Sequence, residues 1–383
     1  MFGRLVPPSV TVARVGPVAK RIGVTRLAEL TGMDSIGIPV FQAVRPRSRS
    51  LSVSQGKGPT RASARASALM EALELHHAET LPPGHEATAD ALGVTGIWSQ
   101  LLPAKDQKSA FDGTVVRPWL DAVDLLTGRP CPIPRDLVSM DFTRAVPDDI
   151  WPSSNGLAAG NSDGEALVAA LCEIVERDAF ARFLRDMPSA RRRREFDAGQ
   201  VNDRAVNWAG ARIRRAGCSL RLWDLTDTPG LPVIAGAIID GGEGPFQMPP
   251  ALGAACHPDP ARAIMAAITE AAQSRLTLIA GARDDISADD YLAPRQRTAN
   301  FLLSSLTWQP AERAPATTHL ASLTSQAALI DHLVMLCAGL GGAAVVACVL
   351  TRPGIDVPVT KIVVPGLADH DRLPKAFAAR TAA

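Results

Sequence analysis

The sequence predicts an α/β (α+β) protein built of recurring strand, loop and helix units. Three observations predict it. Short β-rich runs alternate with long stretches of helical periodicity. The long stretches open on helix-starting residues, Asp259-Pro260 and Gly160-Asn161-Ser162-Asp163-Gly164 being the plainest. One helical pattern, Ala-[Leu/Ile]-x-Glu-x-x-[Glu/Gln], occurs at Ala68 to Glu74, Ala170 to Glu176 and Ala267 to Gln273. The roughly hundred-residue spacing is too long for a solenoid repeat, so the pattern reads as equivalent helices that converge.

Along the chain, strands are expected at Gly37 to Val44, Leu51 to Ser54, Ser219 to Trp223, Val233 to Ile239, Ala343 to Leu350 and Val359 to Val364, and the sheets are expected to be mixed. Helices are expected from the 160–164 loop through Phe183 and from Asp259 towards Arg275. The proline-rich stretches Leu81 to Gly84 and Pro130 to Pro134 read as connections too short for an interdomain linker. With 383 residues, 46% of them hydrophobic, the chain has material for one large domain or two ordinary ones.

Composition excludes several functions. Forty basic residues balance 39 acidic ones, so net charge selects neither nucleic acid nor an anionic membrane. The run Arg191-Arg192-Arg193-Arg194 lacks interleaved aromatics and reads as a solvated loop or a docking surface. No stretch approaches the ~20 apolar residues of a membrane span, and the first eight residues hold no secretory core, so a cytoplasmic protein is expected. Cys131, Cys172, Cys218, Cys256, Cys337 and Cys348 are scattered singly and read as reduced core thiols. The adjacent pair His76-His77 points in two directions on a helix, which disfavours an imidazole metal site.

The informative feature is acid on apolar helices. Ser67, Glu71 and Glu74 lie at i, i+4 and i+7, on one stripe among Ala66, Ala68, Leu69, Met70, Ala72, Leu73 and Leu75. Glu165, Glu173 and Glu176 repeat the arrangement, with Arg177 as the one evident partner. A solvent-facing stripe would need other polar residues beside the glutamates, and there are few. Burying ionised carboxylates costs several kcal/mol each unless they are protonated, paired or bound to cations. An all-oxygen set without histidine or cysteine favours a hard ion such as magnesium, which shares its shell with water and phosphate. Two glycine-containing loops add phosphate character: Ser54-Gln55-Gly56-Lys57-Gly58 and Asn155 to Asn161, the latter at a helix N-terminus. The third helix contributes Glu270, Gln273 and Arg275, followed by Arg283-Asp284-Asp285.

Taken in order, these blocks resemble the YcaO family from about Gly23 to Asp369: Ser-Gln-Gly-Lys-Gly with Ser67-x3-Glu71-x2-Glu74, Ser154 to Asn161 through Glu165, Glu173, Glu176, Arg177 and Asp178, and Gln273-x-Arg275 with Gly281 to Asp285. The resemblance implies a single large domain over residues 23–369, flanked by an N-terminal segment 1–22 and a tail 370–383. It implies a central site for ATP and Mg2+, with Glu71, Glu74, Glu165, Glu173 and Glu176 as metal ligands. Lys57, Ser67, Asn161, Glu165, Arg177, Gln273 and Arg275 are implied as nucleotide contacts, with Arg177 and Arg275 placed at the transferring phosphoryl group. The implied reaction is activation of a peptide backbone amide by phosphorylation of its oxygen.

Two departures refine the expectation. The arginine usual after the first glutamate pair is Leu75, and the tail, with Pro374 alone, lacks the PxPxP ending usual in azoline-forming members. Together with the segment Ile36 to Ser54, this resembles the branch that works with a TfuA-like partner and forms thioamides from external sulfide on a substrate peptide. An azoline-forming cyclodehydratase and a non-catalytic peptide-binding scaffold are the alternatives. A homo-oligomer is compatible with either.

Overall fold

A computed structural model describes residues 4–102, 109–227, 231–241, 248–286, 291 and 325–369. The expected 370–383 tail lies outside them. The described elements run α1 (Pro8–Arg21), β1 (Arg26–Glu29), β2 (Val40–Val44), β3 (Val53–Lys57), α2 (Arg61–Glu79), β4 (His85–Ala87), α3 (Ala89–Leu92), α4 (Thr95–Trp98), β5 (Arg117–Leu120), β6 (Val123–Asp124), β7 (Arg129–Pro130) and β8 (Ile133–Pro134). They continue with α5 (Arg135–Val138), β9 (Leu157–Ala159), α6 (Asp163–Arg185), α7 (Pro188–Arg194), β10 (Glu195–Phe196), α8 (Arg204–Arg215), β11 (Cys218–Asp224), β12 (Val233–Asp240), β13 (Ala251–Cys256), α9 (Pro260–Ala280), α10 (Gln326–Gly339), β14 (Val346–Val349) and β15 (Val359–Val363).

The strands form four sheets, ordered β1-β2-β3, β10-β11-β12-β13, β7-β6-β14-β15-β9 and β4-β5-β8. The sheets were expected to be mixed, but every pairing among the described residues is antiparallel. Helix α6 packs between the four- and five-stranded sheets, burying Leu171, Ile174 and Val175 against Trp223, Ala254, Ile362 and Val364. The opposite face of the four-stranded sheet is covered by α8 and α9. Helix α2 covers the β1-β2-β3 sheet, and α1 packs on α2, with Val15, Val18 and Ala19 in the same core.

Three expectations are corrected. The Pro130 to Pro134 stretch supplies strand residues of β7 and β8, at positions where only two residues pair. The Arg191–Arg194 run ends helix α7, and Arg191 is buried at 2% exposure. Ser54-Gln55-Gly56-Lys57 is strand β3, not a phosphate loop. Its glycine serves packing: a Cβ on Gly56 would stand 2.0 Å from the Ala68 amide nitrogen and 2.2 Å from the Ala64 carbonyl oxygen. Gly253 on β13 meets Ala271 and Ala267 in the same way, at 2.4 and 2.5 Å. Each glycine lets a helix backbone lie directly on its strand, and that contact sets where the glutamates project.

All six cysteines are buried free thiols, as expected. None of the described helices is long and apolar enough to cross a membrane.

Candidate active site

Helices α2, α6 and α9 direct acidic stripes into one recess, and the neighbouring strands supply backbone donors to it. Gln55 on β3 donates its N–H to Glu71 Oε1 at 3.3 Å, Ala159 on β9 to Glu74 Oε1 at 2.7 Å, and Cys256 on β13 to Glu176 Oε2 at 3.2 Å. Lys57 Nζ lies 2.6 Å from Glu270 Oε2. Arg177 spans the α6 acids, 3.4 Å from Glu173 and 3.8 Å from Glu176. The Glu173, Glu176 and Glu270 side chains keep 25, 14 and 27% exposure, which describes an open recess rather than a sealed core.

The acids destabilise one another's charge. Burial pushes Glu71 up to about 7, against the pull of Arg283, the Gln55 amide and Lys57. Burial, helped by the charges of Glu71 and Glu173, pushes Glu74 up to about 8 although the Ala159 amide opposes it. Glu173 is raised by burial, with Asp369 and Glu270 adding to it and Arg177 and Lys361 opposing. Glu176 is raised well above the usual range by burial and then by Glu270. The protein's own cations therefore leave the acids undercompensated.

That deficit tests the fit to magnesium. Five carboxylates held as acceptors beside too few cations suit bound divalent ions. Among the described residues, no three His, Cys, Asp or Glu side chains already form a group that could hold an ion. A distributed set agrees with magnesium, which keeps waters and takes one or two carboxylates plus phosphate oxygens rather than an all-protein cage. Lys57, Arg177 and Arg283 add positive charge suited to a polyphosphate.

Ser67 stands half-buried one turn before Glu71 on α2, and Gln273 half-buried one turn after Glu270 on α9. Glu165 sits apart from the acids at the start of α6. Burial works to raise it, but hydrogen bonds from the Leu5 amide and from Asn161 N and Nδ2, both 2.8 Å, outweigh that and hold it low. Arg275, read from sequence as a phosphate contact, instead pairs with Asp34 at 3.0 Å and Asp240 at 2.6 Å. Five residues past Glu270 it projects from a different face of α9. Arg283 grips Asp285 at 2.9 and 2.6 Å while lending its charge to Glu71, and Asp284 accepts from Ser52 ahead of β3.

Two contributors escaped sequence reasoning. Lys361, 2% exposed on β15, donates to the carbonyls of Ser153 and Asn155 and lowers Glu173; a single lysine within Val359–Val363 was its only signal. Helix α1 supplies Thr11 and Arg14 to Asn161, about 150 positions away, for which no local signal exists.

Residues 55–368 match the family described as YcaO cyclodehydratase, ATP- and Mg2+-binding. An uncharacterised protein encoded in the tfuA 3′ region of Rhizobium leguminosarum bv. trifolii is 34% identical over 375 residues, covering 95% of this chain and 88% of the relative. An uncharacterised Mycobacterium tuberculosis protein is 31% identical over 376 residues, covering 95% and 82%. The fold matches that of YcaO from Methanopyrus kandleri bound with AMPPCP and Mg2+, at a TM-score of 0.73 and 24% identity over 98% of this chain and 94% of that one. It also matches a heterocyclase in complex with substrate and cofactor, at a TM-score of 0.75 and 24% identity over 96% of this chain and 53% of that one. The chain therefore belongs to the YcaO family, whose members are ATP- and Mg2+-dependent enzymes.

Proposed function

We propose that this enzyme phosphorylates the oxygen of a peptide backbone amide and, with external sulfide, converts that amide into a thioamide, beside a TfuA-like partner. The observation that carries the sulfide is the state of the cysteines. All six are buried, and burial pushes Cys131 and Cys218 up to about 11 and Cys337 and Cys348 up to about 12, so these thiols are neither exposed nor ionised at neutral pH. That supports a sulfur supplied from outside the chain. The 34% identical relative encoded beside tfuA supports the partner.

In this reading sulfide adds to the amide carbon and the oxygen so formed takes the γ-phosphoryl group of ATP, releasing ADP. Cleavage of the carbon–oxygen bond then releases phosphate, and loss of the sulfur-bound proton to water leaves the carbon–sulfur double bond. Glu71, Glu74, Glu173 and Glu176 would hold the magnesium, which would supply charge neutralisation to the phosphate. Lys57 and Arg177 neutralise polyphosphate charge, while Ser67, Asn161, Glu165 and Gln273 position the nucleotide. Arg275 ties α9 to Asp34 and Asp240. Phosphoryl transfer needs positioning and charge more than a general base, and this recess offers those.

Equilibrium binding of ATP with and without magnesium tests the site, and Glu173→Ala is expected to abolish the magnesium-dependent part. Unchanged affinity in that variant would sink the enzymatic reading. Intact mass of a modified peptide tests the product. A gain equal to the sulfur–oxygen difference supports the thioamide, whereas loss of one water supports the azoline that the cyclodehydratase description of the family favours.

A further inference from the structure

Helix α1 precedes the residues that match the family, yet it reaches the nucleotide site just proposed. Thr11 is fully buried, and its hydroxyl donates to Asn161 Oδ1 at 3.0 Å. One turn on, Arg14 forks around the same residue, with one nitrogen 3.1 Å from Oδ1 and the other 3.2 Å from the backbone carbonyl oxygen. A carboxamide is nearly symmetric in shape, so its partners decide which end is oxygen. Arg14 can only donate, and a reversed amide would set N–H against N–H. With Oδ1 held by two donors, Nδ2 faces the other way and donates to Glu165 Oε2 at 2.8 Å. The Asn161 amide donates to that same oxygen, and the Leu5 amide to the other one. The residues that orient Asn161 and Glu165 therefore come largely from the first fourteen positions.

We propose that Thr11 and Arg14 are positioning residues of the nucleotide site: they set the Asn161 carboxamide, and through it Glu165, in the orientation that binds magnesium–ATP. This rests on the reading that Asn161 and Glu165 serve that site. Support of this kind behind a ligand typically changes affinity by about ten- to a hundredfold when removed.

Equilibrium binding of ATP to the full chain, titrated with magnesium and paired with thermal unfolding, decides the matter. Arg14→Ala and Thr11→Val should each weaken magnesium-dependent binding about tenfold or more, and Thr11→Ser, which keeps the hydroxyl, should restore it. Because Arg14 acts through Asn161, adding Arg14→Ala to Asn161→Ala should cause no further loss. Arg21→Ala removes another anchor of the same helix, a 3.0 Å bond to the Gly354 carbonyl, without touching Asn161, and should bind as wild type does. The proposal is overturned if Arg14→Ala binds normally, if its effect adds to that of Asn161→Ala, or if Arg21→Ala weakens binding equally. If Asn161→Ala and Glu165→Gln both bind normally, the underlying site assignment fails, and this proposal with it.

Discussion

Replacing Glu74 by glutamine should make the nucleotide-free enzyme more stable and its nucleotide complex weaker. Glutamine keeps a carbonyl oxygen to accept the 2.7 Å bond from Ala159 and removes the charge that Glu71 and Glu173 repel. Raising the carboxyl from 4.5 to about 8 corresponds to about 5 kcal/mol against the ionised form at full burial. Partial exposure of the recess reduces this to roughly 1–2 kcal/mol. The sign follows from proton binding. Below pH 4.5 the group is protonated folded or unfolded and costs nothing. Between 4.5 and about 8 the folded state binds the extra proton, so stability falls as pH rises, and above about 8 the full cost persists. Thermal unfolding without nucleotide should therefore show Glu74→Gln melting roughly 1–3 °C above wild type at pH 8.5 and level with it near pH 4.5. Saturating magnesium–ATP, worth about 3 kcal/mol at a hundred times its Kd, should stabilise wild type and leave the variant nearly unmoved. A variant that melts at or below wild type at pH 8.5, or keeps the full nucleotide shift, would refute both the repulsion and the assignment of Glu74 to the metal.

Two further outcomes follow from the packing. Gly56→Ala should destabilise by about 3 kcal/mol or more, because the added carbon meets α2 backbone at 2.0 Å and nothing there can move aside cheaply; a denaturation midpoint within error of wild type would contradict this. Arg275→Ala should cost about 3–5 kcal/mol by leaving Asp34 and Asp240 without their cation. Its folded fraction should still bind magnesium–ATP with wild-type affinity, and a selective loss of nucleotide affinity would return Arg275 to the phosphate-contacting role read from sequence.

Much of the candidate site was legible because its signal is local. Glu71, Glu74, Glu173 and Glu176 stand out as charges on apolar helices, and that contrast depends only on spacing within one helix. The main strands Val233–Asp240 and Val359–Val363 were legible through their β-branched runs. Strand Ala251–Cys256 was not, since alanine and glycine carry little strand preference and its sequence is set by the helix lying on it. The 54–57 segment was misread because glycine beside lysine has the same sequence appearance whether it admits a phosphate or a helix.

The sequence by itself determined the class of fold, the helices and the acids that needed cations, since periodicity and composition are properties of short segments. Only the tertiary structure decided which acids meet. It set Glu270 beside Lys57 and Glu176, withdrew Arg275 into a pair with two aspartates, and brought Thr11 and Arg14 to Asn161. Those contacts join residues from about 35 to 240 positions apart, and they are settled by how glycine-backed helices seat on their strands, which no short window of sequence records.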